Sequence, residues 1–308
     1  MKSRVVNLYR QDQNNLGDML SAPCQYFPDD FPNVIFRDIH NRTYDSAIHP
    51  QADVLIVGGG AMLATKVSKK WWAWIVNHHR WLKPEVAICW GVGCDDDIGA
   101  WPYRLKFKLV GLRHNIHMPR DNYIYTPDAS VMNKEFDYNY NAPSKKDILF
   151  IAHPSRDMKE LYRVIKARRP TLQIDHKTNH FESLEQFLDT VSQYKLIMSA
   201  CYHPALWSLW AGKPVITLTD YPTHVDNDRN HTKDPNGSMR CWKLANMTPK
   251  CRHIKYRKLW TSLTEIDLDD LDDLKLNEPH SEIAESRKMT IQFKDRVLSI
   301  IKMYEAGN

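Results

Sequence analysis

Asn15-Leu16-Gly17-Asp18 follows the first apolar run of the chain. Gly17 permits a tight turn there, and Asp18 falls at a helix start. Asp18 reads either as an N-cap, worth about 1 kcal/mol, or as a carboxylate able to take a proton from an acceptor hydroxyl. Gly58, Gly59 and Gly60 end another apolar run. Three glycines let backbone N–H groups approach a ligand, and the helix start beyond them favours an anion. The plain alternative is a tight strand-to-helix turn. The pattern is neither GxGxxG nor GxxxxGK[ST], so neither a dinucleotide fingerprint nor a P-loop is supported. Gly91-Val92-Gly93 is a second glycine turn of the same kind.

Ser199-Ala200-Cys201-Tyr202-His203-Pro204 lies where a strand should give way to a helix. An imidazole placed there can bind a phosphate or protonate a leaving group, or be an ordinary hydrogen-bonded histidine. His153, Ser155 and Arg156 follow a further apolar run, and Arg156 offers a fork suited to phosphate. Tyr221, His224 and Asp226 follow PVITL and could close the same side. Arg113 and Asp128 stand at strand ends, as an anion clamp and an acceptor contact or as an ion pair. The candidate catalytic groups are therefore Asp18, His203 and Arg113. The candidate donor side comprises Gly58, Gly59, Gly60, His153, Ser155, Arg156, Ser199, Tyr202, Tyr221 and His224. Asn15, Gly17, Asp128 and Trp90 are the candidate acceptor side.

The elements that must carry these residues alternate. Strands are expected over 4–9, 34–37, 53–57, 86–90, 109–113 and 123–125, and a helix over 62–82. Residues 137–147 (DYNYNAPSKKD) are polar and mark a boundary. Beyond it, strands at 148–152, 172–175, 196–199 and 214–218 alternate with helices at 158–167, 184–194 and 204–211. Such βαβ repetition predicts parallel sheets covered by helices. A last helix over 281–304 sets Phe293, Val297, Ile300, Ile301 and Tyr304 on one face. The expected organisation is a first domain over 1–140, a second over 141–280 and a closing helix over 281–308. Open parallel sheets take ligands beyond the carboxyl ends of their strands, where the residues above fall.

Composition narrows the classes. The chain has 308 residues, 43% hydrophobic and 26% charged, which excludes a mostly disordered protein. No apolar run approaches the length of a membrane span, and the start lacks the apolar stretch of a signal peptide. The six cysteines form no CxxC pair and read as free thiols, so a cytoplasmic location is expected and no metal site. Residues 240–258 carry seven cations and no carboxylate, interleaved with Trp242 and Tyr256. That run is either a solvated face or a surface for a polyanion such as nucleic acid.

Taken in order, NLGDML at 15–20, DVLIVGGGAML at 53–63, GVG at 91–93, Leu112-Arg113, PDASV at 127–131 and the His203 segment through AGKPVI at 211–216 resemble the polysaccharide pyruvyl transferase family. The resemblance spans residues 14–220. It implies a GT-B-like α/β fold of two Rossmann-like parallel-sheet domains facing a central cleft. It also implies metal-free transfer of a pyruvyl group from phosphoenolpyruvate to sugar hydroxyls, with no cofactor. His203 falls on the family's histidine and Arg113 on a family arginine. The family shows arginine two residues before that histidine, where this chain has Cys201. Without that fork, a nucleotide sugar is an alternative donor. A nucleic-acid base such as one in DNA, or a phosphorylated carrier, is an alternative acceptor. A non-catalytic binder on the same scaffold is a third reading.

Overall fold

Fully buried, largely apolar strands form the centre of the first sheet. A computed structural model describes residues 3–41, 51–60, 62, 69–93, 105–113, 121–138, 143–152, 162–163, 166–167, 170–199, 201–217 and 279–307. Within these, β1 (Val5–Tyr9) and β3 (Val54–Gly58) are buried at every position, as is the longer β4 (Val86–Val92). A strand buried throughout needs cover on both faces, which an all-parallel sheet flanked by helices supplies. With β2 (Ile35–Asp38), β5 (Leu109–Leu112) and β6 (Tyr123–Tyr125) they form a six-stranded parallel sheet, ordered β2-β1-β3-β4-β5-β6.

Alternate residues go to opposite faces. Val6, Leu8, Leu55, Val57 and Cys89 pack with Ile75 and Leu82 of α2 (Lys69–Leu82). Val5, Val54, Ile56, Ile88 and Trp90 pack with Phe293, Val297 and Ile301 of the closing helix. That helix, Pro279–Gly307, is longer than its expected span. The chain divides into two compact units, Met1–Asn133 with Ala284–Asn308, and Lys134–Ile283. The closing helix thus serves the first sheet from the far end of the sequence, and Glu305 accepts 2.8 Å hydrogen bonds from both the backbone N–H and the hydroxyl of Ser3.

The second unit repeats the pattern with four parallel strands, ordered β10-β9-β7-β8: β7 (Lys146–Ala152), β8 (Ile174–Thr178), β9 (Tyr194–Ser199) and β10 (Val215–Thr217). Two of its helices are α3 (Leu184–Ser192) and α4 (Tyr202–Trp210). Ser183 caps α3 by accepting from the Gln186 N–H at 3.0 Å. The helix expected to reach residue 194 stops at Ser192, because Tyr194 pairs with Lys146 at the start of β9. The strand expected at 172–175 is displaced to Ile174–Thr178. Of the helix expected over 158–167, residues 162–163 and 166–167 are described and helical. Among the described residues no helix is long and apolar enough to cross a membrane.

Both sheets place their second strand outside the first and their third on the other side. This is not the 3-2-1-4-5-6 order of dinucleotide-binding sheets. The order reverses between β1 and β3 in the first sheet, and between β7 and β9 in the second. Ligands of open parallel sheets bind beyond the carboxyl ends at such a reversal.

Candidate functional site

At the reversal in the first sheet the chain leaves β1 through Arg10 and enters a four-residue helical turn, α1 (Leu16–Met19). Asp18 is not its cap. The cap position is Asn15, whose side chain reaches forward and donates from Nδ2 to Asp18 Oδ2 at 2.8 Å. The same oxygen accepts from Arg10 Nη1 at 2.9 Å, and Arg10 Nη2 pairs with Asp12. The Asp18 side chain is 9% exposed. Arg10 and Asn15 both donate to Oδ2, and Oδ1 lies toward Gly60, 3.6 Å from where a Cβ on that glycine would stand. The Arg10 guanidinium thus bridges two carboxylates, Asp12 and Asp18.

The three glycines are not equivalent. A Cβ on Gly58 would sit 2.3 Å from Pro23 Cδ, and one on Gly59 would sit 2.0 Å from Ser21 Oγ. Their missing side chains are thus used by the protein's own 21–23 segment. Ser21 is held there by donating from Oγ to Asp18 O at 2.8 Å, and Tyr26 holds the same stretch by donating to Leu20 O at 2.7 Å. Asn7 reinforces it, accepting from the Cys24 N–H at 3.1 Å. A Cβ on Gly60 would instead have the Asp18 carboxylate among its nearest neighbours. Gly59 and Gly60 both have positive φ, +73° and +69°, a region that L side chains rarely adopt.

Three expected site residues take interior roles instead. Trp90 has no exposed surface, stacks on Phe27 at 5.7 Å and meets Phe293 at 5.3 Å, so its indole belongs to the core and not to an acceptor surface. Its position in β4 turns it toward the closing helix, a direction set by sheet register. Arg113 donates from Nη1 to Asp128 Oδ2 at 2.9 Å, with both side chains buried. Asp128 Oδ1 meanwhile accepts from the N–H and hydroxyl of Ser130 at 3.1 and 2.7 Å, capping the 3-10 turn Ala129–Met132. The Arg113 charge is therefore met inside the first unit, and Asp128 is committed to a cap and an ion pair. Gly17 is buried within α1.

In the second unit, Ser199 ends β9 without exposure, and its hydroxyl closes the turn into α4, accepting from the Cys201 N–H at 3.0 Å and donating to Cys201 O at 3.2 Å. Cys201 is the α4 cap residue and is 4% exposed. His203 lies in the first turn of α4, 7% exposed, with its ring 5.1 Å from Tyr202 and 5.4 Å from Trp207. The AGKP stretch is a helix stop. The N–H groups of Gly212 and Lys213 donate to Leu209 O and Ser208 O, both at 2.9 Å, the paired bonds of a Schellman motif. Lys213 is buried, donates to Ser192 O at 2.7 Å and to Ser144 Oγ at 3.1 Å, and burial lowers its pKa.

His153, Ser155 and Arg156 follow β7, and Tyr221, His224 and Asp226 follow β10. These, and the basic run at 240–258, lie outside the described residues. The structure adds Arg10, which the motif reading missed. Its signal was position: it is the first residue past β1, two before Asp12 and eight before Asp18. Among the described residues, no group of three or more His, Cys, Asp or Glu is placed to hold a metal ion.

No family model matches the chain, and no curated protein does. Among solved structures it is similar to an uncharacterized protein from Klebsiella pneumoniae subsp. pneumoniae NTUH-K2044, with 17% identity, 69% of this chain and 82% of that one covered, and a TM-score of 0.44.

Proposed function

We propose that the chain is a GT-B-like, metal-independent group transferase of the polysaccharide pyruvyl transferase kind. It moves a pyruvyl or glycosyl unit from a phosphate-activated donor, phosphoenolpyruvate or a nucleotide sugar, to a saccharide hydroxyl in the cytoplasm. The observation that carries this reading is Asp18. It is a nearly buried carboxylate beyond the carboxyl ends of β1 and β3, with Arg10 and Asn15 donating to Oδ2 and Oδ1 on the side of Gly60. A carboxylate so placed suits general-base work on an acceptor hydroxyl. His203, at the corresponding end of β9, suits the donor side.

In the proposed step the acceptor O–H bond breaks and its proton passes to Asp18 Oδ1. The oxygen forms the new bond to the donor carbon. For a nucleotide sugar, the bond from that carbon to the phosphate oxygen breaks, its electron pair staying on the phosphate. For phosphoenolpyruvate, the methylene carbon takes up the proton given by the first hydroxyl as that oxygen bonds to C2, and a second saccharide hydroxyl then replaces the phosphate at C2, its proton leaving with the phosphate, to give the pyruvyl ketal. Arg113 is given no step here, its Nη1 being paired with Asp128 inside the first unit.

Thermal-shift titrations with phosphoenolpyruvate and with nucleotide sugars select the donor. Mass spectrometry of candidate saccharides then identifies the group added. Asp18→Ala is expected to abolish transfer while retaining the donor-induced shift, and His203→Ala to weaken both. If no donor shifts the melting curve, or both variants transfer at the wild-type rate, the proposal fails. Transfer to DNA in place of saccharide would establish the nucleic-acid reading of the acceptor instead.

A further inference from the structure

Asp18 does not choose its own orientation. We infer that Arg10 is the positioning residue of Asp18, with Asp12 as the outer anchor of the clamp; this rests on the reading of Asp18 as the proton acceptor.

Arg10 is the residue at which the chain leaves β1, so its backbone is set by the sheet. Its guanidinium spans two carboxylates, Nη1 on Asp18 Oδ2 at 2.9 Å and Nη2 on Asp12 Oδ2. A planar fork held at both tips has little freedom to rotate. Asp12 is fixed in turn, because its Oδ1 accepts from the Asn14 N–H at 3.0 Å and its backbone O from the Asn15 N–H at 2.8 Å. Asn15 then closes the ring by donating to Asp18 Oδ2. The loop between β1 and α1 is thus one hydrogen-bonded circuit whose inner member is Asp18. Rotating the Asp18 carboxyl to carry Oδ1 away from Gly60 would break two donor contacts at once. The pairs are also graded in exposure: the Arg10 and Asp12 side chains are 26% and 24% exposed, against 9% for Asp18. The clamp reaches from solvent inward and leaves the carboxylate at its protected end.

Lysine can supply the charge but only a single point of contact, so Arg10→Lys and Arg10→Met separate charge from geometry. With the donor chosen by thermal shift, Arg10→Met is expected to lower kcat about a hundredfold with the donor KM unchanged, the scale of a misplaced catalytic group. Arg10→Lys is expected to recover only part of that loss. Asp12→Asn, which leaves the Arg10–Asp18 contact in place, should show a smaller loss of the same kind, and it serves if Arg10→Met does not fold. Carbon-13 labelling of the aspartate carboxyls gives a readout independent of turnover. The Asp18 resonance should titrate at higher pH in Arg10→Met than in the wild type, and with a different limiting shift in Arg10→Lys. Wild-type kcat in Arg10→Lys overturns the positioning role, as does an Asp18 titration curve unchanged in Arg10→Met. A wild-type rate in Asp18→Ala removes the underlying site instead, so the two failures are distinguishable.

Discussion

Alanine at Gly59 and alanine at Gly60 should behave differently, although the two glycines are adjacent and share a positive φ. For either, forcing an L residue into the left-handed region costs about 1–2 kcal/mol. At Gly60 that is nearly the whole cost, because the new methyl would meet Met62 Cε at 3.4 Å and Asp18 Oδ1 at 3.6 Å, ordinary contact distances. At Gly59 the methyl would stand 2.0 Å from Ser21 Oγ and 2.6 Å from Ser21 O. The second of these is backbone and cannot swing aside. Overpacking of that kind adds about 1–3 kcal/mol, so Gly59→Ala should cost about 2–5 kcal/mol in total. Against a domain stability of about 5–15 kcal/mol, the difference is large enough to read from urea midpoints at constant m. Function should invert the order. Gly60→Ala keeps most of the stability but places a methyl beside the Asp18 oxygen assigned to the acceptor, so transfer should fall sharply in a folded protein. If Gly60→Ala is destabilised as much as Gly59→Ala, or if Gly59→Ala unfolds at the wild-type urea concentration, the division of these glycines into packing and site roles is wrong.

Asp128→Asn should cost about 3–5 kcal/mol, because it removes the carboxylate from a buried ion pair with Arg113; a loss under about 1 kcal/mol, the range of exposed pairs, would contradict the interior assignment. Adding Arg113→Met to Asp128→Asn should restore part of the loss, measured by the same denaturation. Cys24 and Cys89 have thiol pKa values raised well above the ordinary 9.0 by burial. As pH rises through 9.0 the unfolded chain releases these protons and the folded one does not, so folded stability falls by about 1.4 kcal/mol per pH unit for each thiol. Urea midpoints between pH 8 and pH 10.5 should therefore flatten in Cys24→Ala with Cys89→Ala, and an unchanged slope would refute the burial argument. Ser199→Ala removes both hydrogen bonds that close the β9–α4 turn and should cost about 1–2 kcal/mol.

Strand positions were legible in the sequence because a strand buried on both faces is a continuous apolar run, and the bounds of DVLIV, VAICW and ILFIA each fall within two residues of the observed strand's. Edges were less legible where pairing overrides composition. Tyr194 reads as helical by pattern and joins β9 because Lys146 stands opposite. The site was legible as glycines and polar residues at strand ends, but their division of labour was not. Asn15 precedes Asp18 by three residues, and nothing local says which of them caps the turn. Arg113 and Asp128 are fifteen residues apart, and their ion pair depends on β5 and β6 lying side by side. Trp90 looks the same in sequence whether its ring points to a ligand or to Phe293, which is two hundred residues away.

The sequence by itself therefore determined the α/β class, the parallel sheets and the residues delivered to strand ends, because apolar period and glycine placement are local properties of the chain. Tertiary structure decided the strand order, the partner of each buried charge and the use of each glycine. Those depend on which distant segments become neighbours: Ser21 against Gly59, Arg10 against Asp18, and the closing helix against the first sheet. No local pattern encodes a contact whose two halves are brought together only when the whole core is buried.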